Sequence, residues 1–217
     1  MVPIRENLVP KDKYAIKCPY TRTPTRVVIH NTANDAPAAN EISYMRYNDL
    51  EISFHYAVDD VNIVQGIPEN RNAWASGDGH GKGNMEGIHI EICYSKSGGE
   101  KFDKAEQNAA EFTASLLKKY GWAIDKVTKH RDYDGKYCPH RTLDRGWQRF
   151  LSMVKRYMEP AKAPVASKFI PYLIRKNCRD ALNIRKGPST NYGILGQIKD
   201  TLRYTIVEEH SGPGSHK

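Results

Sequence analysis

The stretch "RVVIHNT" (Arg26–Thr32) narrows most sharply what this chain can become. Val27, Val28 and Ile29 follow one another without a polar break, and such a strand has no face to offer water. It belongs inside a sheet covered on both sides. The covering material is present. In "APAANEISYMRYNDL" (36–50), Ile42, Met45 and Leu50 are expected on one side of a helix. Ala105, Ala109, Phe112, Leu116 and Tyr120 recur every three to four residues in a second, stronger helical pattern. Asp103 and Glu106 form a candidate cap pair for it, and Gly121 supplies the stop. A last helix is predicted to open at Asp144 and to bury Trp147, Phe150, Leu151, Val154 and Tyr157.

Further strands are interleaved with these helices. "GIHIEICYS" (87–95) alternates strictly, with Ile88, Ile90 and Ile92 on one face and His89, Glu91 and Cys93 on the other. "ISFHYAVDD" and "NIVQGIP" read as two strands joined by a turn at Asp59–Asn62, and "KVTKHRDY" as a short strand running into a loop. The expected class is therefore α/β, a central mixed sheet flanked by helices.

This layered domain is expected to span residues 1–158. "EPAKAPVASK" (159–168) is rich in Pro, Ala and Lys and reads as a linker. Residues 169–217 change texture to short alternating strands with glycine punctuation, which predicts a small all-β module. From Glu159 onward ten Lys/Arg face five Asp/Glu, so +5 of the formal charge of +8 lies in the tail. That excess suits a polyanionic partner, nucleic acid or an anionic cell wall. The dispersed basic residues lack an aromatic-basic recognition motif, which argues against nucleic acid. No apolar run reaches the length of a membrane span, and the first residues lack the apolar core of a secretory signal, so synthesis in a cytoplasm is expected. Four scattered cysteines without a CxxC pair suit free thiols in a reducing compartment. Cys18, Cys93 and Cys178 read as small buried residues.

Cys138 keeps different company. "DYDGKYCPHRT" (132–142) follows His130 closely, and Gly135 and Pro139 can fold this loop back on itself. His130 and Cys138 can then reach one point, and His30, at the end of a central strand, can join them from across the sheet. Two histidines and a cysteine would supply the three protein ligands of a catalytic zinc site. His140 is a rival ligand, and Cys138 as a nucleophile with a histidine base is an alternative. His55, His80, His210 and His216 read as surface or capping residues.

"VVIHNTA", "IHIEICYS" and "KHRDYDGKYCPHR" resemble, in order and spacing, the zinc-dependent N-acetylmuramoyl-L-alanine amidases, which include phage endolysin and autolysin domains and are related to peptidoglycan-recognition proteins. The resemblance covers about residues 20 to 158. "LNIRKGPSTNYGILGQI" resembles bacterial SH3-like wall-binding modules, although residues 169–217 fall short of the usual module, so a truncated one is expected.

The resemblance implies His30, His130 and Cys138 as Zn²⁺ ligands, Glu91 as acid/base and Lys136 as stabiliser of the oxyanion, with His140 in a supporting role. It also places "NAWASGDGHGKGN" at the rim of a substrate groove, with Trp74 as a wall for sugar or peptide. Some relatives carry a catalytic tyrosine where Phe54 stands here, which throws the proton work onto Glu91. The implied partner is bacterial peptidoglycan, cut between N-acetylmuramic acid and L-alanine by a monomeric endolysin or prophage-type autolysin acting at the wall after release. The implied alternative is a non-catalytic peptidoglycan-recognition module.

Overall fold

The computed structural model describes residues 1–159, 172–175, 181–186, 190–200 and 203–206. The chain divides into two compact units, Met1–Ala161 and Lys162–Lys217. Most of the expected linker, along with Cys178, His210 and His216, lies outside the described residues.

The first unit opens with β1 (Ile4–Glu6), α1 (Tyr14–Lys17), β2 (Arg26–Asn31), α2 (Ala38–Tyr47), β3 (Tyr56–Val58) and β4 (Ile63–Gln65). It continues with α3 (Lys82–Glu86), β5 (Gly87–Ile92), α4 (Gly99–Tyr120), β6 (Val127–Lys129), α5 (Arg131–Asp134), α6 (His140–Asp144) and α7 (Trp147–Met158). Six strands form one sheet in the order β1-β4-β3-β5-β2-β6. β2 runs parallel to both of its neighbours, β5 and β6, while β3 and β4 pair antiparallel, so the sheet is mixed.

The wholly apolar strand sits where its composition requires. Val27, Val28 and Ile29 are completely buried in the middle of the sheet. Val27, Ile29, Ile88, Ile90 and Ile92 share one continuous core with Phe102, Ala105 and Ala109 of α4 and with Phe150 and Val154 of α7. Alternation along β5 turns His89 and Glu91 to the opposite face. There Glu91 is paired in register with His30, and His89 with Val28. The face of β2 and β5 under α4 and α7 thus carries apolar side chains, while the other face mixes buried apolar residues such as Val28 and Ala57 with the titratable groups His30, His89 and Glu91. Ile90→Ala would leave a cavity at the centre of this core. A loss of about 2–5 kcal/mol is expected, read as a lower denaturation midpoint at unchanged slope.

Several boundaries differ from the sequence reading. α4 begins at Gly99, ahead of the expected Asp103/Glu106 cap pair. Those two carboxylates instead pair with Arg145 and Arg149, which ties α4 to the segment leading into α7. The stop is as expected: Gly121 takes a left-handed φ of 67°, and Trp122 N–H donates back to the Leu117 carbonyl at 2.8 Å. Leu50 falls beyond α2 and is 49% exposed, because the helix ends at Tyr47. The last helix, expected to open at Asp144, begins at Trp147; Asp144 instead ends the short α6, and Gly146 with a φ of 99° separates the two. Among the described residues no helix is long and apolar enough to cross a membrane.

The second unit contains β7 (Tyr172–Arg175), β8 (Leu182–Arg185), β9 (Ile194–Ile198) and β10 (Arg203–Ile206). These form two antiparallel pairs, β7 with β10 and β8 with β9.

Candidate functional site

Three side chains converge at the end of the central strands. His30 closes β2 on the polar face, His130 follows β6, and the loop after α5 returns Cys138 to them. That return has identifiable causes. Gly135 adopts a φ of 81°, a left-handed conformation that favours glycine, and ends α5 after a single turn. Arg131 N–H donates to the Cys138 carbonyl at 3.0 Å, which closes the loop. On the far side Asn31, next to His30, accepts the backbone N–H groups of Arg141 (3.0 Å) and Thr142 (3.2 Å) through Oδ1. A single strand end therefore carries one member of the cluster and holds the segment bearing another.

His30 Nδ1 lies 3.2 Å from His130 Nδ1 and 4.0 Å from Cys138 Sγ. All three atoms fall within 4.8 Å of one another, and all three residues are buried. With Zn–N near 2.0–2.1 Å and Zn–S near 2.3 Å, tetrahedral geometry separates neighbouring donors by roughly 3.3–3.6 Å; the two imidazole nitrogens already stand at about that spacing, and Cys138 Sγ lies somewhat wider, so a small inward shift of the thiol would let all three hold a zinc ion. The opposite ring nitrogens are already engaged. His130 Nε2 meets Asp134 Oδ2 at 3.0 Å, and His30 Nε2 meets His89 Nδ1 at 3.0 Å. Each imidazole is thus oriented from behind with Nδ1 turned to the common point, as histidine ligands usually are.

The electrostatics agree. Burial holds both imidazoles neutral, with the pKa of His30 driven well below the ordinary range by desolvation, His89 and His130. Burial, reinforced by Glu91, pushes the Cys138 thiol up to about 12. Such a thiol ionises at neutral pH only beside a cation, and metal binding would release its proton. The same burial argues against Cys138 as a free nucleophile.

Glu91 stands beside His30 on the adjacent strand. Its Oε2 is enclosed and has no hydrogen-bond partner among the described residues. Desolvation pushes its pKa up to about 8, with Glu41 adding to the shift and the Lys136 ammonium opposing it. His30, Glu91, His130, Lys136 and Cys138 all line one groove of about 1290 Å³.

Residues 20–141, just over half of the chain, match the family model described as N-acetylmuramoyl-L-alanine amidase. The chain belongs to this amidase family. It is 50% identical over 96% of its length to the N-acetylmuramoyl-L-alanine amidase XlyB of Bacillus subtilis, and 51% identical over 77% of its length to CwlA of the same organism. It spans 66% and 65% of those two proteins, about two thirds of each. The solved structure of PlyL superposes with a TM-score of 0.69 at 53% identity, covering 70% of this chain and 96% of that one.

Within this amidase fold the positions of the remaining sequence candidates can be stated. His140 stands outside the three-donor cluster, and its Nε2 reaches the Ser95 carbonyl at 3.2 Å. Trp74 lines the groove half-buried, donates from Nε1 to the Ile16 carbonyl at 3.0 Å, and meets Tyr20 and His80 edge-on. Phe54 is buried in the groove wall, where it offers no hydroxyl. His55, read from sequence as a surface or capping residue, is completely buried behind the site. Asp134 and Asn31 also support the site, and neither stands out in the sequence as a site residue. Asp134 sits four residues after His130, a spacing that one helical turn brings together. Asn31 gave no signal, because its partners lie more than a hundred residues away in sequence.

Proposed function

We propose that this chain hydrolyses the amide bond between N-acetylmuramic acid and L-alanine in bacterial peptidoglycan, with Zn²⁺ held by His30 Nδ1, His130 Nδ1 and Cys138 Sγ. The observation that carries the reading is the convergence of those three donors beside the half-buried Glu91 carboxylate, with its enclosed Oε2, inside an open groove. Bound zinc would supply a Lewis acid and a water acidified toward neutral pH. Glu91 is the group that takes a proton from the attacking water and returns it to the leaving amine; its raised pKa suits both halves of that task near neutrality. Lys136 projects its ammonium into the same groove, where it meets the charge that develops on the scissile carbonyl oxygen. Trp74 offers an aromatic wall to the sugar or the peptide stem. With an endolysin or autolysin role at the cell wall, the tail from residue 169 acts as an accessory wall-binding element of SH3-like type.

Dialysis of the full chain against a strong chelator should abolish the release of L-alanine N-termini from purified walls, and added zinc should restore it. Full activity in the metal-free protein would end the proposal.

A further inference from the structure

Behind the three-donor cluster lies a line of buried imidazoles that the reaction does not use. His30 Nε2 is 3.0 Å from His89 Nδ1, and the ring of His89 stacks on that of His55 with 5.6 Å between centroids and 15° between planes. Both His89 and His55 are completely buried.

The proton positions along this line follow from the far end inward. The backbone N–H of His89 donates to His55 Nδ1 at 3.0 Å, so that nitrogen must carry a lone pair. Neutral His55 therefore keeps its proton on Nε2, which lies 2.9 Å from the Arg71 carbonyl. Arg22 Nη2 donates to the Gly87 carbonyl at 2.7 Å and also stands 2.9 Å from His55 Nε2, where it competes with the Arg71 carbonyl; the His89 N–H on Nδ1 decides for the Nε2–H form. At the near end, His30 can offer Nδ1 to a metal only if its proton sits on Nε2, which then donates to His89 Nδ1. That in turn puts the His89 proton on Nε2, which faces the Gly83 backbone and has no partner at full hydrogen-bond geometry among the described residues. Three neutral rings thus share one tautomer, and the orientation of His89 is set by His55 and the sheet rather than by the metal.

We infer that His89 is a positioning residue for the metal centre: by accepting the Nε2–H of His30 it fixes the tautomer and ring plane that present Nδ1 to zinc, with His55 as its buttress. His130 takes the equivalent support from the Asp134 carboxylate. A neutral acceptor behind His30 does the same work without adding negative charge beside a thiolate and Glu91. The inference rests on the proposed zinc site, and its test separates the two.

Zinc affinity of the full chain is to be measured by competition with a chromophoric chelator, independently of activity. His89→Leu, which leaves the His30 proton without an acceptor, is expected to weaken zinc binding by about 10–100-fold, whereas His89→Asn, with an amide oxygen near the place of Nδ1, should stay within about threefold of the natural chain. Nitrogen-15 NMR of the zinc-loaded natural chain should show His89 and His55 as Nε2–H tautomers, a readout that needs no variant to fold. The inference is overturned by unchanged affinity in His89→Leu, by equal losses in the Leu and Asn variants, or by a proton on His89 Nδ1. A natural chain that takes up no zinc overturns both the site and the inference.

Discussion

Cys138→Ala is expected to reduce amide hydrolysis by about a thousandfold or more, because a metal contributes several kcal/mol to such a reaction and each 1.36 kcal/mol is a factor of ten. The variant removes the only anionic donor of the three and leaves two neutral imidazoles, so zinc retention on a desalting column should fall with activity. The fold should survive. In the metal-free chain Cys138 is a buried neutral thiol that gives up only a contact with the Asn31 backbone when it is removed, and its loop is still held by the Arg131 N–H on the Cys138 carbonyl and by the Asn31 amide oxygen on Arg141. Near-natural activity in a folded Cys138→Ala protein would remove the metal from the account. Alkylating reagents should react slowly with the natural chain, since the thiol is 6% exposed and held protonated.

Glu91→Gln is expected to lower kcat by about 10²–10⁴-fold, the usual contribution of a positioned acid/base. Zinc affinity should remain close to that of the natural chain, because Glu91 stands outside the three donors. The pair of variants therefore separates metal binding from proton transfer. Glu91→Gln carries a second signature in the metal-free protein. Folding raises the Glu91 pKa from its ordinary 4.5 to about 8, so the folded state favours the protonated form. The unfolded chain releases that proton at lower pH, and the natural protein loses stability as pH rises through this window. Glutamine does not titrate. The stability of Glu91→Gln relative to the natural chain should therefore increase from about pH 4.5 to about pH 8. The gain is on the order of 2 kcal/mol, below the full value for such a shift because Glu91 borders an open groove. Denaturant titrations at both ends of the window would read it, and a constant difference across pH would contradict the burial argument.

The layered architecture and the three donors were legible in sequence because each left a local trace. Val27–Ile29 could only be an interior strand, the alternation through Ile88, Ile90 and Ile92 set the faces of β5, and His130 and Cys138 lay within one short loop. What stayed hidden depends on contacts distant in sequence. The cap assigned to Asp103 and Glu106 is a local pattern overridden by Arg145 and Arg149, which draw both carboxylates into tertiary ion pairs. His55 reads as a surface residue in sequence because nothing adjacent to it reveals that the Arg71 carbonyl and the backbone of β5 satisfy both of its ring nitrogens in the interior. Leu50 matched the helical pattern but follows the end of α2, where the Lys17 ammonium donates to the Asn48 side chain and the Leu50 carbonyl.

The parallel pairing of His30 with Glu91 has a consequence for how errors in folding are felt. A slip of one residue between β2 and β5 would throw Glu91 and His89 into the apolar layer and drive isoleucines into the groove. Misalignment would therefore ruin core packing and chemistry in the same stroke. A partly active, misthreaded form of this protein should not exist: each molecule is either correctly aligned and competent, or inert.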